Sequence, residues 1–239
     1  MAELLRTEAL TKRFQGLVAN DHVDFQLASS ELRCIIGPNG AGKTTFISMI
    51  SGHLRPSAGD VWYQGERVTQ LPVTARARRG IARKFQTPSV FDNLSVLENV
   101  ELAALASARR QDVSARIARV LRLVRLDDHA HVLARNLSHG QRQWLEIGLL
   151  LANEARLLLL DEPTAGMTAE ETAATGELIR QLVAELQVSA IIIEHDINFI
   201  RRLRAPITVM HLGRVLVEGP FDEVERNAEV RQVYLGVEA

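Results

Sequence analysis

The stretch "GPNGAGKTT", Gly37 to Thr45, constrains this chain more than any other. It follows "LRCII", a short apolar run of strand character, and precedes "FISMIS", which continues at helical spacing. It fits G-x-x-x-x-G-K-[ST], with Gly37, Gly42, Lys43 and Thr44 at the fixed positions. Glycines there let the backbone curl so that successive N–H groups point inward. The start of the following helix adds partial positive charge beneath bound phosphates. Lys43 is expected to reach the β- and γ-phosphates of a nucleotide, and the Thr44 hydroxyl to ligate Mg²⁺. Pro38, Asn39, Gly40, Ala41 and Thr45 complete the loop that cradles it. Of the 28 Lys and Arg residues, only Lys12, Lys43 and Lys84 are lysine. A compact ammonium at position 43 suits a confined phosphate cage better than a planar guanidinium.

Around that loop the chain has a readable order. "LLRTEALTKRF", "DHVDFQLA" and "LRCIIG" read as strands, and "DVWYQGERVTQ" as a β-hairpin turning at Gln64-Gly65. From Ser95 to about Leu126 the spacing becomes helical, as in "VLENVELAALASARR" and "VSARIARVLRLV". Beyond Arg156 strand "LLLLD", helix "TAEETAATGELIRQLVAEL", strand "AIIIE", helix "INFIRRL" and strand "ITVMH" alternate. That alternation predicts a parallel sheet with helices on its faces. The whole reads as an α/β nucleotide core with a helical insert in its middle.

Composition narrows the setting. A net charge of −1 argues against wholesale nucleic-acid binding. The single Cys34 forms no internal disulfide and suits a reducing compartment. "MAELLRTEAL" carries Glu3 and Glu8 and lacks a long apolar core, so it is not read as a signal peptide. No segment approaches the ~18 apolar residues of a membrane span. Work at a membrane is therefore expected to be peripheral.

Two strand ends carry titratable groups. "LLLLDEP" puts Asp161 and Glu162 at the C-terminal end of a buried strand, where ligands bind in open α/β sheets. Asp161 is expected to hold Mg²⁺ through water. Glu162 is expected to polarise an attacking water as general base. Without the phosphate loop, the pair would read as solvated acids. "IIIEHD" puts His195 at the end of the next apolar strand, within reach of the γ-phosphate or the attacking water. His139 and His211 have weaker claims.

"LSHGQRQWLE" opens another helix. Ser138 and Gln141 stand at capping-box spacing, and Trp144, Leu145, Leu149 and Ala152 continue at helical intervals. A cap with free N–H groups, a hydroxyl and a glycine is also an anion-binding helix end.

Together, "GPNGAGKTT", "KFQ", "LSHGQ", "LLLLDEP" and "IIIEHD", in this order and spacing, resemble the ATP-binding subunits of ABC transporters, over essentially the whole chain. The resemblance implies one P-loop NTPase domain across residues 1–239, with a RecA-like parallel sheet core, an antiparallel β subdomain and an α-helical insert subdomain. Residues 1–86 and 155–239 would form the nucleotide-binding core with the β subdomain, and 87–154 the Q-loop and helical signature part. ATP and Mg²⁺ are the implied substrate and cofactor. Catalysis would fall to Lys43, Glu162 and His195. Phe14 looks like the aromatic that stacks on adenine, its bland reading being a core Phe. Gln86 looks like the Q-loop glutamine that touches Mg²⁺ and links core to insert. "LSHGQ" is then the signature: two subunits pair head to tail, and Ser138, His139, Gly140 and Gln141 of each meet the ATP held by the other.

The implied partners are polytopic permease subunits, a second ATPase subunit identical or different, and indirectly an extracytoplasmic binding protein. The implied location is the cytoplasmic face of the inner (plasma) membrane. "TPSVFDNLSVLENV" would form much of the groove that receives a permease helix, with Phe91, Leu94 and Val96 lining it or lying in the core. The pattern departs from the family at His139, where glycine is usual, and at Thr168 in "AGMT", where Asp is common. His139 is expected to add a hydrogen bond or charge across the interface, making closure pH-sensitive near neutrality.

"KRFQGLVAND", "ARKFQTPSVFDNLSVLENV" and "DEPTAGM" are similar to the branched-chain amino acid and urea importers, and "LSHGQRQWLEIGLLLA" leans to the urea type. The ATPase of lipopolysaccharide export shares features such as "LPVTARARRGIA" and "VRQVYLG", but usually has a Gly-Gly signature. A soluble ABC ATPase acting on DNA, ribosomes or cofactor assembly is the other class; 239 residues hold no long coiled-coil insert or tandem domain. Arg76, Arg78, Arg79, Arg83 and Lys84 read as a solvated or permease-facing surface rather than a nucleic-acid patch.

Overall fold

A computed structural model describes residues 2–84, 90–107 and 112–235. Gln86, the expected Q-loop glutamine, lies outside the described residues. The chain begins with strands β1 (Glu3–Phe14), β2 (Leu17–Ala28) and β3 (Leu32–Ile36), followed by helix α1 (Lys43–Ser51). Next come β4 (Ala58–Tyr63), β5 (Glu66–Arg67), α2 (Val73–Arg78) and β6 (Ile81–Lys84). The helical insert supplies α3 (Val96–Ala106), α4 (Val113–Leu123) and α5 (His139–Ala152). The alternating part runs β7 (Leu157–Asp161), α6 (Ala169–Leu186), β8 (Ser189–Ile193), α7 (Ile197–Leu203) and β9 (Ile207–His211). It closes with β10 (Arg214–Gly219), α8 (Phe221–Arg226) and α9 (Ala228–Leu235).

The strands form two sheets. One is antiparallel, in the order β2-β1-β4-β5. Its β4–β5 turn has Gln64 at φ 52° and Gly65 at φ 78°, the paired left-handed residues of a tight hairpin. The other has the order β10-β9-β3-β8-β7-β6, parallel except for the β9–β10 pair.

The uninterrupted apolar runs of β7 and β8 follow from burial on both faces. Leu157, Leu159, Ile191 and Ile193 face a core shared with Phe46, Ile47 and Ile50 of α1 and with Leu5, Phe25 and Tyr63 of the antiparallel sheet. Phe25 and Phe46 meet there edge to face, 5.4 Å between centroids. Leu158, Leu160, Ala190 and Ile192 face a second core shared with the helical insert and with α6 and α7. Val96 belongs to this second core, fully buried, so it lines no groove; Phe91, 60% exposed, remains at the surface. Asn99 pins the backbone near Phe91, accepting from Phe91 N and donating to the Phe91, Leu94 and Ser95 carbonyls. No helix among the described residues is long and apolar enough to cross a membrane.

The basic cluster is a solvated surface only in part. Arg78 and Arg79 are exposed, but Arg76 is 1% exposed and Lys84 4%. The Arg76 guanidinium donates to the carbonyls of Met49 and Ile50 at 2.7 Å, Thr69 at 2.8 Å and Leu71 at 3.1 Å. It thereby caps the C-terminal end of α1, where a cation complements the helix dipole. Burial pulls its pKa down to about 10, so it stays charged at neutral pH. Lys84 pairs with Glu146 of α5 at 3.3 Å, both side chains buried. Arg83 reaches Asp161 at 3.4 Å and Ser48 Oγ at 2.7 Å. These basic residues were drawn inward because each has an acceptor waiting for it, which spacing along the chain does not reveal. Arg76→Lys retains the charge but not the planar fork, and is expected to lower stability by about 2 kcal/mol, read from the urea midpoint at unchanged slope.

Candidate functional site

The loop between β3 and α1 rolls into a cradle because its glycines admit close backbone approach. Gly42 has φ 97°, and a Cβ there would lie 2.3 Å from the Ala19 carbonyl oxygen. Lys43, 6% exposed, turns its ammonium back into the loop, donating to Gly37 O at 2.6 Å and Pro38 O at 3.0 Å. Desolvation lowers its pKa, with the charges of Glu162 and Asp161 pulling the other way.

Asn39 to Thr45 line a cavity of about 440 Å³ that also takes in Phe14, Glu162 and His195. The remaining wall is Leu17, Val18, Ala19, Ile193 and Leu212. Phe14 is 42% exposed, so it is not a core residue, and the Lys12 ammonium sits 5.0 Å from its ring centre. Leu17 and Leu212 are 67% and 75% exposed. Three apolar side chains with no packing reason to face water gather at one mouth, a surface that accepts a flat ring. The sequence reading missed Leu17, Val18 and Leu212, because they come from two distant turns and have no spacing in common.

At the end of β7, Glu162 adopts φ 49°, a left-handed backbone that costs a non-glycine residue about 1 kcal/mol. Its N–H donates to Ile193 O at 2.9 Å, which ties the turn to β8. Glu162 Oε1 lies 3.2 Å from His195 Nε2. Beside them Glu194, buried, accepts from Thr164 N at 3.1 Å and from Thr164 Oγ1, and its second oxygen accepts from His195 N. Glu194 thus locks the turn after β7 to the turn after β8, a positioning role the sequence reading did not assign. Asp161 is 2% exposed; one carboxylate oxygen faces Arg83, and Oδ1 is buried with no partner among the described residues. A buried carboxylate oxygen without a partner, on a strand that packs against the α1 helix that bears Thr44, is a donor that suits a hard divalent cation.

Ser138, His139, Gly140 and Gln141 do not line this cavity. They form the start of α5, at some remove along the same chain. Ser138 Oγ accepts from Gln141 N at 3.2 Å and Gln141 Oε1 accepts from Ser138 N at 2.9 Å, a complete capping box. His139 Nε2 lies 2.9 Å from Ala165 O. Thr168 caps α6 in the same way, its hydroxyl accepting from Glu171 N at 3.2 Å. Threonine, like aspartate, suits this cap position. His211 ends β9 and is not part of the cavity wall.

A family model described as "ABC transporter" matches residues 20–165. The chain is 32% identical over 249 residues to the high-affinity branched-chain amino acid transport ATP-binding protein LivG of Escherichia coli (strain K12), covering 98% of each. It is 35% identical over 240 residues to the lipopolysaccharide export system ATP-binding protein LptB of Acidithiobacillus ferridurans, covering 99% of this chain and 98% of that protein. Among solved structures, the ADP conformation of an ATP-binding cassette of an ABC transporter superposes with a TM-score of 0.90 at 27% identity, covering 99% of this chain and 100% of that one. A dimeric post-hydrolysis cassette bound to ADP and Pi gives 0.78 at 26% identity, covering 91% and 99%.

Proposed function

The chain belongs to the ABC transporter family as an ATPase cassette, and from that premise we propose that it powers an importer of branched-chain amino acids, urea or related short amides. The observation that carries the ATPase site is the single cavity holding Phe14, the phosphate loop, Glu162 and His195 together. In this reading adenine stacks on Phe14, with Leu17, Val18 and Leu212 around it. Loop N–H groups and Lys43 hold the β- and γ-phosphates. Glu162 orients the attacking water and takes its proton, and His195 hydrogen-bonds the γ-phosphate or that water. Thr44 and Asp161, with Gln86, are the residues that would hold Mg²⁺, which when bound offsets negative charge between the β- and γ-phosphates.

Ser138, His139, Gly140 and Gln141 serve the partner's site rather than their own, consistent with their separation from the cavity. Two chains close around ATP and part after hydrolysis, whether the second is identical or different. His139, engaged with Ala165 O in its own chain, is the residue we assign to tune that contact. Phe91 and Leu94 face permease subunits on the cytoplasmic side of the membrane, with an extracytoplasmic binding protein delivering cargo. No nucleic-acid partner is called for. The similarity to the amino acid ATPase supports import; the similarity to the lipopolysaccharide ATPase keeps export as the second reading.

Crosslinking tests the head-to-tail arrangement. Asn39→Cys on one chain and His139→Cys on another are expected to join only with ATP, in a background carrying Glu162→Gln. Native Cys34 does not interfere, because burial pushes its thiol up to about 12. Absence of ATP-dependent bonding removes the pairing. Cargo is read separately, from ATP-driven uptake of labelled leucine or urea into vesicles holding the permeases; lipopolysaccharide extraction instead would select export.

A further inference from the structure

Glu171, in the first turn of α6, uses its two carboxylate oxygens on two different helices. Oε2 accepts from Thr168 N at 3.0 Å and from Thr168 Oγ1 at 3.2 Å, closing the capping box of its own helix. Oε1 reaches across to the start of α5, accepting from Gly140 N at 3.3 Å and from the Ser138 hydroxyl at 3.3 Å. The approach is close: a Cβ at position 140 would lie 2.6 Å from that oxygen, so only glycine admits an anion here without displacing it. The Thr168 N–H, ahead of the contacts from α5, holds the Glu171 pKa below the usual glutamate value. Glu171 is therefore ionised at neutral pH.

Gly140 N–H and the Ser138 hydroxyl are the same donors that the proposed pairing offers to a γ-phosphate from the partner chain. We propose that Glu171 is a resident competitor for that seat: its carboxylate occupies the start of α5 in the unpaired chain, and ATP-driven pairing requires Oε1 to withdraw. This rests on the reading that Ser138 and Gly140 receive the partner's triphosphate. The physical basis is that two anions cannot share two neutral donors. Like charges a few ångströms apart repel, and each donor has one proton to give. Withdrawal leaves the Thr168 contacts through Oε2 intact, so α6 keeps its cap while the seat empties. Glu171 therefore sets the ATP-dependent threshold at which two chains join.

Neutralising Glu171 should lower that threshold. Gln suits the third position of a capping box, and its amide is a weaker competitor than a carboxylate. In a chain carrying Glu162→Gln, adding Glu171→Gln is expected to reduce the chain concentration for half-maximal ATP-driven pairing by about tenfold. Pairing is read by sedimentation or light scattering at fixed ATP. Glu171→Ala, which removes the competitor entirely, is expected to shift pairing the same way even as it lowers the melting temperature. Melting of each chain without nucleotide confirms that both are folded. Unchanged or weaker pairing in both variants overturns the inference and leaves the head-to-tail reading standing. If Glu162→Gln alone fails to pair with ATP, the head-to-tail reading falls and this inference with it.

Discussion

Glu162→Gln is expected to lower ATP turnover by about 10²–10⁴-fold and leave two chains joined around uncleaved nucleotide. The substitution preserves size and hydrogen-bonding shape but not the basic oxygen that accepts a proton from water. The backbone that aims the side chain is unaffected, since its left-handed turn is held by the N–H contact to Ile193 O. The phosphate cradle is untouched, so binding persists while the step that ends it does not occur. Phosphate release measures the first effect and ATP-dependent size the second. Turnover within about threefold of the unaltered chain, against that predicted loss, would place the base elsewhere.

Lys43→Ala should act one step earlier. The ammonium is nearly buried and is held by two loop carbonyls within a cage of backbone donors. Its removal takes away the only lysine or arginine among the described residues of the cavity wall. A charge-assisted contact to phosphate in a confined site is a large term, and ATP affinity is expected to fall about 10²-fold, with hydrolysis falling further. The fold should survive, because among the described residues the Lys43 ammonium bonds only loop carbonyls, and its burial disfavours its charge. A fluorescent nucleotide titration at unchanged melting temperature checks this. Lys43→Arg should rescue little, because the guanidinium is planar and too wide for the space between Gly37 and Pro38 carbonyls. Near-normal binding by Lys43→Ala would mean the backbone donors suffice.

The features legible from residues alone were those where chemistry dictates local backbone. Glycine and lysine spacing fixed the phosphate loop, and the two-faced burial of β7 and β8 showed as unbroken runs such as "LLLLD" and "AIII". The cap at Ser138 was legible because its partner lies three residues on. What escaped depends on contacts between distant segments. Arg76 looked solvated until the end of α1 was placed beside it. Val96 read equally as groove lining or core, because a half-turn of helix separates surface from interior. Glu171 drew no notice in the sequence, since its second contact lies 31 residues back at Gly140. The apolar mouth of the cavity was invisible because Leu17 and Leu212 meet only after the two sheets are assembled.

The Lys84–Glu146 pair has a mechanical implication. It joins the last residue of β6 to the middle of α5 with both charges out of water. Pulling the two apart would deprive each buried charge of this counter-charge, at a cost on the order of several kcal/mol. The strand edge and the helix that bears Ser138 therefore travel as one lever, and a push arriving at either end is delivered to the other without slack.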